Sequence, residues 1–181
     1  MNDEQLIGEL RFLGVDKDSH RVVALLPLVQ VAWADGTVQK AESDLIQQIA
    51  SRNGMLHGDG GRILQSWLTH APTDDYLRRG RRCLVTLASR SDSGLGADFE
   101  RGMLDDIVGF CERVASAAGG LFGILWSVDA RERAAIEEIA SALALASDSA
   151  SGWSELLDDA DTVLDDITED GAADLETVVD E

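Results

Sequence analysis

Cations are scarce in this chain. Its 181 residues hold 15 Lys and Arg against 34 Asp and Glu, a formal net charge of −19. That balance argues against a nucleic-acid binder, because phosphate neutralisation needs clustered cations. It argues equally against a membrane-surface protein, since cytoplasmic leaflets are anionic. Long apolar runs are missing too. The longest, Val22 to Ala34, contains Pro27 and Gln30 and is too short to span a bilayer. The N-terminus is acidic and lacks the apolar stretch of a signal peptide. Only two prolines occur, and no sustained apolar–polar alternation marks a strand. The two cysteines, Cys83 and Cys111, fall inside helical patterns without ligand-like neighbours. They read as small buried hydrophobes in a reducing compartment. These absences leave a soluble, cytoplasmic, all-α protein as the expectation. Its acidity is compatible with divalent cations or a basic partner.

What is present is helical periodicity over one domain's length, with 45% hydrophobic residues to fill a core. Leu6, Ile7, Leu10 and Leu13 predict a leading helix over 3–15, packed on the main body. Ser19 is placed to cap a second helix, about 20–34, apolar nearly all round and slightly kinked at Pro27. Asp35-Gly36 stops it. Further helices follow at about 40–52, 60–70, 74–90 and 97–118. The last of these carries Phe99, Met103, Ile107, Phe110, Val114 and Ala117 as its core stripe. Gly119-Gly120 breaks the pattern, and helices at 121–127 and 130–145 complete a bundle of about seven to eight helices. The domain spans 1–147. Residues 148–181 form a small polar linker, an acidic amphipathic helix and an end whose composition favours disorder.

The chain is organised around Ala32-Trp33-Ala34-Asp35-Gly36-Thr37-Val38-Gln39-Lys40-Ala41-Glu42. One helix ends in Asp-Gly, and the next opens with a glutamate in its first turn. A shorter echo runs Leu125-Trp126-Ser127-Val128-Asp129-Ala130-Arg131-Glu132. Aligning Glu42 with Glu132 also matches Ile46 with Ile136, Ile49 with Ile139 and Ala50 with Ala140. The match points to two related helical halves.

Two readings of these carboxylates stand side by side. Asp129-Ala-Arg-Glu132 has capping-box spacing, Gln39-Lys-Ala-Glu42 has the same spacing with a poorer cap, and the helix dipole favours glutamate there without any ion. Alternatively, Asp35 and Glu42 converge across the corner and hold a hard divalent cation between their oxygens. The loop is too short for an EF-hand and lacks its alternating oxygen ligands.

At Ala32-Trp33-Ala34-Asp35-Gly36-Thr37-Val38 through Glu42, then Leu45-Ile46 and Ile49-Ala50, the chain resembles the TerB-like family of helical tellurite-resistance domains. Ala118-Gly119-Gly120-Leu121-Phe122 and Glu132 to Ala140 extend the resemblance to roughly 18–147. It implies an all-α body of two related halves and a small acidic cluster for a divalent cation such as calcium, magnesium or manganese. It also implies a role in stress response. Carried over by position, the cluster residues are Asp35, Glu42 and Glu132. The second turn departs from the pattern, having Ser127-Val128 where the first has Asp-Gly.

His20, His57 and His70 share no ligand spacing, so zinc is not expected. No serine or cysteine nucleophile has a partner arrangement, so no enzyme is expected. Arg78, Arg79, Arg81 and Arg82 stand out in so acidic a chain. They read either as a solvated helix face or as a patch binding a protein partner. One candidate for that docking is the acidic helix at 153–167, whose apolar stripe includes Trp153, Leu157 and Leu164.

Overall fold

The structure, a computed structural model, describes residues 1–90, 94–99, 103–119 and 130–144. Among the described residues there are seven α-helices, two 3-10 segments and no strand, an all-α bundle as the periodicity predicts. All of them fall in one unit, Met1–Ala144. Residues from Leu145 onward lie outside the described residues. The predicted helices at 121–127 and 153–167 also lie outside the described residues.

Helix α1 (Asp3–Phe12) starts from a capping box. Asn2 Oδ1 accepts from the Gln5 N–H at 2.9 Å, and Gln5 Oε1 accepts from the Asn2 N–H at 3.0 Å. Leu6 and Leu10 point inward, followed by Leu13 just past the helix end. Ile7 lies one residue off that line and is 42% exposed, so it leaves the inner face that the sequence assigned it.

The expected single helix over 20–34 is two elements. A 3-10 segment, His20–Leu25, runs into α2 (Leu26–Ala32). Proline is the reason. An α-helix through Pro27 would bring its ring against the Val23 carbonyl, and Pro27 has no N–H to donate. In the first turn of α2 that missing donor costs nothing, because first-turn N–H groups have no intrahelical acceptor. The tighter winding before it lets the Leu26 N–H reach Val23 O instead. Ser19 makes no side-chain cap bond here. Its hydroxyl donates to Asp16 Oδ1 at 2.6 Å, closing the preceding turn.

Helix α2 is buried on all sides, as its apolar circumference requires. Around it pack α3 (Lys40–Arg52), α5 (Asp74–Ala88) and α6 (Met103–Gly119), while α4 (Gly60–Thr69) covers the 3-10 segment. Gly80 permits the close α2–α5 approach, since a Cβ there would collide with the Leu26 side chain. The inner line of α6 is Ile107, Cys111, Val114 and Ala115. Phe110 and Ala117, expected inside, sit half-buried on its flank, and the Arg113 guanidinium stacks on Phe110 at 4.4 Å. The last described helix, α7, covers residues 130–144 and turns Glu132, Ile139 and Leu143 inward. Among the described residues, no helix is long and apolar enough to cross a membrane.

Candidate functional site

The α2–α3 corner is built by backbone chemistry. Past the end of α2, the Gly36 N–H donates to Trp33 O at 2.9 Å. Gly36 adopts φ 99°, a conformation open to glycine and strained for other residues. Asp35 Oδ1 then accepts from the Thr37 N–H at 2.9 Å, which turns the chain toward α3. At the start of α3, Glu42 Oε2 accepts from the Gln39 N–H at 2.7 Å. This is the cap-directed half of the capping box read from the sequence.

Capping does not by itself require burial. Yet Glu42 is 1% exposed, and Glu132 is 4% exposed. Glu42 is the third residue of α3, and Glu132 lies in α7. Both share a buried face with apolar residues of their helix, Ile46, Ile49 and Ala50 in α3 and Ile139 and Leu143 in α7. The two glutamates that the sequence echo aligns are thus both buried on helix faces.

These carboxylates act on each other. Burial pushes the Glu42 carboxyl up to about 7, and the nearby Glu132 and Asp35 charges push in the same direction. The Gln39 N–H works against that rise by stabilising the ionised form. Of the three acidic positions expected to form one cluster, Glu132 and Asp35 thus both bear electrostatically on Glu42. Two of them lie on the buried faces of helices, and one lies in the connecting turn.

The donor chemistry suits a hard divalent ion, which takes oxygen ligands. Asp35 and Glu42 each have one oxygen engaged by the turn backbone. Among the described residues, neither Asp35 Oδ2 nor Glu42 Oε1 accepts a hydrogen bond. Also among the described residues, no three carboxylate, thiol or imidazole groups close into a ligand set. Asp129, at the second turn, lies outside the described residues.

The arginines of α5 are placed differently. Their helix begins at Thr73, whose hydroxyl accepts from the Tyr76 N–H at 3.3 Å, and buries Leu77, Gly80, Cys83, Leu84, Leu87 and Ala88. Arg78 pairs with Asp75 at 2.6 Å. Arg79 pairs with Asp75 at 2.8 Å and with Glu9 of α1 at 3.0 Å, and stacks over Phe12 at 4.3 Å. Arg81 bonds Gln30 and pairs with Glu138 of α7 at 2.9 Å. Arg82 is exposed and has no carboxylate partner among the described residues. Trp153, Leu157 and Leu164 lie outside the described residues. The histidines are dispersed. His20 is buried between Lys17 O and Leu95 O, whereas His57 and His70 are exposed.

Sequence reasoning missed the residues that hold the corner from behind. The Trp33 indole N–H donates to Trp67 O at 2.8 Å, and the Trp67 indole N–H donates to the Tyr76 hydroxyl at 2.9 Å. Nothing in the local pattern signals these bonds, because their partners lie 34 and 9 residues apart in the chain.

Comparison of the chain with protein-family models, curated proteins and solved structures returned no match.

Proposed function

We propose that this chain is a non-enzymatic, TerB-like module that binds a divalent cation, calcium, magnesium or manganese, through Asp35, Glu42 and Glu132. The observation that carries the reading is Glu42. It is almost fully buried, and the charges that act on it are those of the carboxylates Glu132 and Asp35. A buried carboxylate beside like charges is costly in its ionised form, and a cation among the three reverses that cost. Glu42 would supply oxygens from the first turn of α3, Glu132 from α7, and Asp35 from the corner between α2 and α3. An ion there would fasten the start of α3 and the α7 helix to one turn. The stress-response role rests on the family resemblance alone.

The test is titration of metal-free protein at pH 8, where Glu42 is ionised, with each of the three cations. Calorimetry should show saturable heat and melting should shift upward, and both should be lost in Glu42→Gln. Absence of heat and of any melting shift for all three ions would leave capping as the sole role of these side chains.

A second reading makes the chain an adaptor for a protein partner. It is favoured by charge segregation, since no Lys or Arg follows Arg133 while an apolar stripe at helical spacing includes Trp153, Leu157 and Leu164. Here a partner captured by the full chain should be lost on deletion of residues 150–181. A partner retained after the deletion rules this reading out.

A further inference from the structure

The cation reading leaves open what fixes Asp35 relative to Glu42. A turn between two helices flexes unless something outside the turn holds it. Gly36, at the centre of this one, adds backbone freedom. Trp33 is the last residue before the turn, and its own backbone N–H and carbonyl are already committed. The N–H donates to Val29 O at 3.1 Å, and the carbonyl accepts from Gly36 at 2.9 Å. The side chain makes the external connection, donating its indole N–H to Trp67 O at 2.8 Å.

That acceptor is well chosen. Trp67 is in the last turn of α4, which ends at Thr69, so its carbonyl is one of those without an intrahelical donor. The Trp33 indole fills that vacancy. The connection continues outward. The Trp67 indole N–H donates to Tyr76 of α5, and the Tyr76 hydroxyl donates to Leu13 O at the end of α1 at 2.6 Å. Trp67 and Tyr76 also meet edge to face, with ring centroids 6.0 Å apart. Three side-chain bonds thus run from the carboxylate corner through α4 and α5 to the end of α1.

We propose that Trp33 is the positioning residue of the cation site. Its indole N–H, anchored on the end of α4, holds in place the turn that carries Asp35 into α3, where Glu42 lies. The inference rests on the cation reading for its consequence, and on the hydrogen-bond geometry for its cause.

Two variants of the full chain separate positioning from general stability. Trp33→Phe keeps an aromatic ring and removes the donor to Trp67. Tyr76→Phe breaks the far end of the same series and leaves the Trp33–Trp67 bond intact. The probe is calcium or manganese alone at pH 8, read by calorimetry beside the melting temperature of the metal-free protein. Trp33→Phe should weaken binding by about tenfold, at the lower end of what loss of a ligand-orienting partner costs. Tyr76→Phe should lower the melting temperature but leave affinity unchanged. Equal loss of affinity in both variants, or unchanged affinity in Trp33→Phe, overturns the proposal. Amide hydrogen exchange in metal-free protein gives a second readout, with Gly36 and Thr37 exchanging faster in Trp33→Phe than in wild type. If wild-type protein binds none of the cations, the proposed function fails. The anchoring of the turn then stands or falls on the exchange result.

Discussion

Two charged regions of this protein solve opposite problems. On α5, Arg78, Arg79 and Arg81 each meet a carboxylate, and most of these pairs sit at least partly in water. At the α2–α3 corner, Glu42 and Glu132 are buried, and the charges acting on Glu42 are those of Glu132 and Asp35. The first region explains itself as structure. Arg79 draws α1 onto α5, and Arg81 draws α5 toward α2 and α7. The second region does not, because a capping glutamate needs neither burial nor a carboxylate for a neighbour. The difference teaches where to look for function in an acidic chain. Abundant acidity is ordinary at the surface, whereas a carboxylate withdrawn from water beside other carboxylates, as Glu42 is, is expensive and calls for a purpose.

The largest expected effect falls on the corner. The Glu42 carboxyl rises from 4.5 to about 7 on folding. The folded protein therefore binds more protons than the unfolded chain between those values, and stability falls as pH climbs through that window. Above it the loss is complete, on the order of 3 kcal/mol at 1.36 kcal/mol per unit. Glu42→Gln removes the penalty and keeps an oxygen for the Gln39 N–H. In metal-free protein it should raise the urea-unfolding free energy by about that amount at pH 8. At pH 4 it should change little. A destabilised variant at pH 8 would show that the corner is as well matched as α5, and the contrast would collapse.

Next comes the cation itself. At a hundred times its dissociation constant, a bound ion should stabilise wild-type protein by about 2.7 kcal/mol. Thermal unfolding with and without calcium, magnesium or manganese measures this. The α5 arginine variants should show no corresponding loss of the ion's effect.

Smaller effects belong to α5. Arg79→Ala removes the link to Glu9 and the stacking on Phe12, and should cost about 1 kcal/mol. Faster amide exchange in α1 would localise that loss. Arg78→Ala removes one exposed pair within the helix and should cost less than about 0.5 kcal/mol. A loss from Arg78→Ala as large as that from Glu42→Gln is a gain would mean that exposure does not separate the two regions.

Much of the fold was legible because it depends on near neighbours. Helix α3 begins at Lys40 and ends at Arg52 as its pattern and caps indicate, and Thr73 starts α5 as expected. Where the reading slipped, the missing information was spatial or stereochemical. Pro27 was read as a kink in one helix, but its ring and missing N–H place it in the first turn of a new one. Periodicity placed both Phe110 and Val114 inside, although a small residue, Cys111, faces the packed centre and Phe110 lies to its side. Ile7 belonged to the apolar run of α1 but lay outside the arc that α5 covers. At the site, the acidic positions could be named from the corner and its echo. Their burial could not, because it depends on which faces of α3 and α7 are covered.

The sequence by itself determined the all-helical character, the Gly36 stop and the Glu42 cap. Each of these follows from dihedral preference, hydrogen bonding within a few residues, or helical period. Only the tertiary structure decided that Glu132 and Asp35 bear on Glu42, that Trp33 caps α4, and that Arg79 and Arg81 are engaged across helices. Those relations join residues tens of positions apart, where packing of the bundle rather than local chain chemistry sets who meets whom.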